Sequence, residues 1–116
     1  MTRGNLNFIW QEWGKPPQTL YHYHNGDQYP KGLRDQFNIA MLLDNYTLKG
    51  FKVWIKENYD AEAVEIDHPC IFYDDAGFIT DYSYVFDGDD IRVYNWDERL
   101  FKGNIDEFRA WLKEVE

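Results

Sequence analysis

Positive charge, cysteine and long apolar runs are what this sequence has least of, and each shortage narrows the field. Twelve Lys and Arg stand against twenty-one Asp and Glu, a formal charge of −9 over 116 residues. A field of that sign repels phosphate backbones, so direct nucleic-acid binding is not expected. Cys70 is the sole cysteine, which removes any intramolecular disulfide and fits a reducing compartment. No apolar run approaches the roughly 18 residues that a membrane-spanning helix needs, and the polar start Thr2-Arg3-Gly4-Asn5 lacks the form of a signal peptide. A soluble, cytoplasmic protein without membrane contact is expected. The G-x-S-x-G, P-loop and G-x-G-x-x-G signatures are also missing, so the expectation is a protein that is not an enzyme and carries no cofactor.

Aromatic side chains are abundant instead. Eight Phe, nine Tyr and five Trp point to one aromatic-rich core, and the length suits a single domain spanning 1–116. Leu6 to Trp13 is rich in β-formers and stops at Gly14-Lys15-Pro16-Pro17; Thr19 to His24 supplies a second strand, giving an N-terminal antiparallel pair. From Pro30 the apolar period changes to about 3.6. Leu33, Phe37, Ala40, Met41 and Asp44 then share one face of a helix ending near Asn45, and Phe51, Trp54, Ile55 and Tyr59 mark a second helix. Pro69 to Tyr73 reads as an edge strand. Phe78 to Phe86 and Asp90 to Trp96 read as a hairpin turning at Asp87-Gly88, with Tyr84 opposite Ile91 and Tyr82 opposite Val93. That register puts Tyr82, Tyr84, Phe86, Ile91 and Val93 on the core face. Arg99 to Lys102 adds a short strand. Asn104 and Glu107 then have the spacing of a capping box, ahead of the apolar stripe Phe108, Trp111, Leu112 and Val115. The expected fold class is α+β: a curved antiparallel sheet of four to five strands with helices on one face, in the order ββααβββα.

Charge is distributed unevenly along the chain. Residues 1–56 hold seven basic against four acidic side chains, a net +3, whereas residues 57–116 hold five against seventeen, a net −12. Asp74, Asp75, Asp81, Asp87, Asp89, Asp90, Asp97 and Glu98 are the candidates for an acidic face that meets a protein partner with a basic surface.

Histidine and cysteine offer a weaker alternative. His22 and His24 stand two residues apart on a strand and point to one side, and His68-Pro69-Cys70 repeats the spacing. Together, His22, His24, His68 and Cys70 make a four-ligand zinc set on paper. Their spacings differ from the usual C-x₂₋₄-C and H-x₃₋₅-H patterns and Pro69 restricts one pair, so no metal is expected.

Residues Tyr21-His-Tyr-His-Asn-Gly-Asp-Gln-Tyr-Pro-Lys-Gly32 resemble the tyrosine, histidine, Asp-Gly-Tyr-Pro-x-Gly segment of small bacteriophage- and prophage-encoded proteins. Thr2-Arg3, Asp81-Tyr-Ser-Tyr84, Leu100-Phe-Lys-Gly103 and Glu107-Phe108 extend the resemblance to both ends, leaving residues 45–75 unmatched; Asn25-Gly26-Asp27-Gln28 replaces a plain Asp-Gly. The resemblance carries no established activity with it; a small, acidic, phage-like chain without catalytic motifs is expected to be an accessory protein in a bacterial host cell that binds a host or phage protein, its acidic half occupying the nucleic-acid surface of, for example, a restriction or CRISPR factor. Physically, Gly26, Asp27 and Pro30 suit a strand-to-helix joint. His24, Asp27 and Tyr29 are the candidates for a binding notch at that joint, so the alternative function is metal or small-molecule binding through His22, His24 and the Asp27 turn.

Overall fold

The computed structural model describes residues 2–116. An open six-stranded sheet carries helices on one face: β1 (Arg3–Trp10), β2 (Gln18–Asn25), α1 (Pro30–Asp35), α2 (Ile39–Asp44), α3 (Leu48–Tyr59), β3 (Val64–Ile66), β4 (Tyr82–Asp87), β5 (Asp90–Asn95), β6 (Glu98–Gly103) and α4 (Ile105–Glu114). The spatial order is β3-β2-β1-β4-β5-β6. The α+β class is as expected. The sheet has one more strand than the upper expectation and is mixed, because β4 re-enters beside β1 in the same direction.

The covered face is assembled by strand alternation. Leu6 pairs with Tyr84 and Phe8 with Phe86 across the parallel junction, Phe8 with Leu20 on the other side, and Phe86 with Ile91 and Tyr84 with Val93 in the hairpin. These seven side chains are at most 5% exposed. Leu33, Ile39, Leu42, Leu43, Phe51, Trp54, Ile55, Phe108 and Leu112 from the helices close the core over them. Phe8 stacks on Phe51, and Phe86 meets Phe108 edge-on, so ring geometry fixes where α3 and α4 sit.

The hairpin register differs from expectation by two residues. Asp87 pairs with Asp90, and the loop is Gly88-Asp89, with Gly88 at φ +57°. Because side chains alternate with period two, the shift preserves the buried face. The helix expected from Pro30 to Asn45 is two helices, broken at Asn38, whose φ of 50° is left-handed. Ala40 and Asp44 are consequently exposed, and Ile39, Leu42 and Leu43 face the core.

Residues 67–81 hold the largest surprise. Pro69 to Tyr73 is no edge strand; the segment runs beneath the sheet, forming only an isolated bridge between Tyr73 and Ile79. Buried asparagines on β1 hold it there. Asn5 Nδ2 donates to the Tyr73 carbonyl and to Thr80 Oγ1, while Asn7 Nδ2 donates to the Cys70 carbonyl and Asn7 Oδ1 accepts from the Cys70 amide. Tyr21 OH donates to Asn5 Oδ1 and the Phe72 amide to Ser83 Oγ. Buried polar groups of this kind cost stability unless they are paired, and here the pairing replaces a second apolar layer.

Candidate functional site

Strand direction decides which carboxylates can act together. β1 and β4 both run toward one end of the sheet, where the β1–β2 loop, the β4–β5 turn and the start of α4 collect. Six residues of strand at about 3.3 Å each separate that end from the other by roughly 20 Å.

The β4–β5 turn stands between two grooves. One, of about 520 Å³, is lined by Asp89, Asp90, Lys102, Asn104, Asp106 and Glu107. The other, of about 700 Å³, lies between Ile9, Trp10, Pro17, Asp67, Pro69 and Asp87. The local folding explains the acidity. Asp87 and Asp90 flank a tight turn, and Asp106 and Glu107 occupy the first turn of α4, where carboxylates complement the helix dipole. Glu107 is held in place by a full capping box: Asn104 Oδ1 accepts from the Glu107 amide at 2.9 Å, and Glu107 Oε1 accepts from the Asn104 amide at 3.0 Å. Asp90 pairs at 3.5 Å with Arg92, and the Tyr46 hydroxyl donates to the Gly88 carbonyl. Burial is the first cause holding the Tyr46 hydroxyl far above its usual range, and the nearby Asp87, Asp89 and Asp90 add to it.

Of the eight carboxylates expected to form one face, the structure places Asp87, Asp89 and Asp90 at this end. Asp81, Asp97 and Glu98 lie at the opposite end, where Asp81 Oδ2 accepts from the Arg3 amide and the Trp96 amide donates to the Asp81 carbonyl. Asp74 and Asp75 lie in the segment beneath the sheet, where Asp74 Oδ1 accepts from the Ala76 and Phe78 amides. The eight do not make a continuous surface. Asp67, Asp106 and Glu107 join the acidic end instead; their sequence separation concealed it, although the capping box alone marks where two of them sit.

The histidine candidates do not assemble a metal centre. His22 and His24 lie on the helix-covered face, with ring centroids 6.2 Å apart, packed on Tyr59 at 5.0 and 4.9 Å. Cys70 is bonded to Asn7 on the other face, and His68 is exposed on the wall of the larger groove. Among the described residues no group of three or more His, Cys, Asp or Glu side chains is placed to hold a metal ion. Burial, reinforced by His24, lowers the His22 pKa to about 4, and its buried Nε2 has no hydrogen-bond partner among the described residues. Neither histidine faces solvent freely, because Tyr59 of α3 packs on both and Phe37 of the α1–α2 link packs on His24.

The segment 24–30 is a structural joint. Asp27 is left-handed at φ 54° and exposed, and Tyr29 caps α1 ahead of Pro30. His24 meets Phe37 edge-on at 5.2 Å, so the proposed notch is occupied by an aromatic contact. Sequence reading passed over Gln28, which is fully buried: its carbonyl accepts from Tyr84 OH at 2.6 Å and its Oε1 from Tyr59 OH at 3.1 Å.

No family model, no curated protein and no solved structure matches the chain significantly. Among the described residues no helix is long and apolar enough to cross a membrane.

Proposed function

We propose that this chain is a non-enzymatic binding protein that presents the acidic end of its sheet to a protein partner with a basic surface. One observation carries the reading: Asp67, Asp87, Asp89, Asp90, Asp106 and Glu107 line two grooves on either side of a single turn. Carboxylates gathered at one end focus the field that the net charge of −9 produces, and such a field steers a basic partner into register. Trp13 in the adjoining β1–β2 loop is 100% exposed, and a solvent-facing Trp beside a charged groove has the character of an interface anchor.

The resemblance of residues 21–32 to phage-encoded proteins extends this reading to a class of partner. The protein is an accessory factor for a host or phage protein, and a nucleic-acid-binding defence factor fits best, since its phosphate-binding surface accepts carboxylates in place of phosphates. The test is affinity capture from a bacterial lysate with the wild-type chain and with a variant carrying Asp87→Asn, Asp89→Asn and Asp90→Asn. The expected result is a basic protein retained by the wild type at low salt, released at high salt and missing from the variant. Equal retention by both chains at both salt concentrations would refute the reading.

A further inference from the structure

The turn from β2 into α1 contains a pair of residues found nowhere else in the chain. Asn25 is followed by Gly26, whereas every other asparagine is followed by Leu, Phe, Ile, Tyr or Trp. An asparagine side chain and the next backbone nitrogen can reach each other and react; a bulky neighbour bars that approach, while glycine has no side chain to do so and lets the backbone rotate. The fold leaves this pair accessible. Asn25 is the exposed last residue of β2, and β3 pairs only with Thr19 to Tyr21, so the outer edge of β2 has no strand partner at Asn25. Gly26 has a φ of 152° and, apart from its chain neighbours, no heavy atom within 4 Å of where a Cβ would stand. Asp27 after it is left-handed. By contrast, Asn5 and Asn7 are fully buried and bonded through their side chains.

We propose that Asn25-Gly26 is a self-modification site at which the folded protein converts Asn25 to aspartate and isoaspartate. The Gly26 nitrogen attacks Asn25 Cγ; the N–Cγ bond forms, the Cγ–Nδ2 bond breaks, and ammonia leaves with the proton that the Gly26 amide gives up. Water then opens the cyclic imide. Cleavage at Cγ gives aspartate on an unaltered backbone, whereas cleavage at the backbone carbonyl carbon gives isoaspartate, with the chain rerouted through the side chain and one methylene longer. No oxidant, cofactor or second protein is required. Each product adds a negative charge across from Arg3, the register partner of Asn25, which has no ion-pair partner among the described residues. The isoaspartyl chain also displaces Gly26, whose carbonyl accepts from Gln28 Nε2 at 3.0 Å. Gln28 in turn holds Tyr84 and Tyr59, so the longer backbone loosens the joint and the core behind it, while aspartate leaves both in place.

The test is ageing of the full-length protein in mildly alkaline buffer at physiological temperature, with the converted residue located by peptide mass spectrometry and isoaspartate detected by enzymatic methylation. A free peptide of residues 21–32 gives the rate without the fold. Asn25 should gain the mass of an amide-to-acid change at a rate within about tenfold of the peptide's, with the other asparagines unchanged. The rate should rise with pH, because the Gly26 nitrogen must lose its proton. An Asn25→Gln chain should stay unmodified at that position. The isoaspartyl form, once separated, should melt below the unaged protein, whereas an Asn25→Asp variant should melt with the unaged protein. A folded protein whose Asn25 stays intact while the peptide converts would overturn the proposal, as would conversion spread over the other asparagines. An isoaspartyl form that melts with the unaged protein would overturn the coupling to Gln28.

Discussion

Acidification should loosen the part of the core where β2 meets α3, and His22 sets the size of the effect. The folded environment lowers its pKa from 6.5 to about 4, with burial as the main cause and the neighbouring His24 as the second. In the unfolded chain the ring takes up a proton near the ordinary value, while in the folded chain it stays neutral until much lower pH. The contribution is therefore complete above about pH 6.5, declines as pH falls toward 4, and levels off below that. Each pH unit of that window corresponds to about 1.36 kcal/mol, so the ceiling is about 3.4 kcal/mol; His22 is only partly buried, and solvent screening brings the expectation to about 2 kcal/mol. His24, also lowered by burial and partly restored by Asp27, acts in the same direction. The perturbation is His22→Phe, which keeps a ring against Tyr59 and removes the titrating nitrogen. Urea unfolding of both chains at intervals from pH 7 to 4 should show the wild type losing about 2 kcal/mol more than the variant. The exposed carboxylates of Glu12 and Asp35, both held below their usual range by ion pairs, contribute equally to the two chains and cancel. Parallel pH profiles would refute the reasoning.

Three further substitutions separate fold from function. Trp13→Ala should change unfolding free energy by less than about 0.5 kcal/mol because the side chain touches solvent alone, yet weaken partner binding by about 1–2 kcal/mol in a titration. Asn104→Ala removes the side-chain half of the capping box, the Asn104 Oδ1 that accepts from the Glu107 amide, and should cost about 1 kcal/mol, measured by thermal or urea unfolding. Gly50→Ala places a methyl group 1.7 Å from the Asn45 carbonyl oxygen, so α3 must shift away from α2 and the loss should reach about 3 kcal/mol or more.

The parts of the fold that were legible from sequence are those specified by neighbouring residues. Asn104 and Glu107 announce the start of α4, and alternation from Tyr82 to Val93 identifies the buried face of the hairpin even with its register off by two. What stayed hidden depends on partners distant in sequence. The parallel junction of β1 with β4 joins residues nearly eighty positions apart, and no turn signal encodes it. Asn5 and Asn7 carry no local signal of their role, yet they hold the 67–81 segment through side-chain hydrogen bonds. Nothing local to His22 and His24 indicates that Tyr59 and Phe37 pack on them. The candidate site was half legible for the same reason: Asp87, Asp89 and Asp90 are adjacent in the chain, whereas Asp67, Asp106 and Glu107 reach them only through the fold.

The association rate with the captured partner, followed as salt is raised, tests the acidic end most directly. The Debye length contracts from about 10 Å at 0.1 M to about 3 Å at 1 M, so a steered encounter should slow by an order of magnitude or more across that range. The same rate should fall at low salt when Asp87, Asp89 and Asp90 become Asn, with the dissociation rate altered less. An association rate that is indifferent to salt and identical in the two chains would contradict the account and assign those carboxylates to solubility alone.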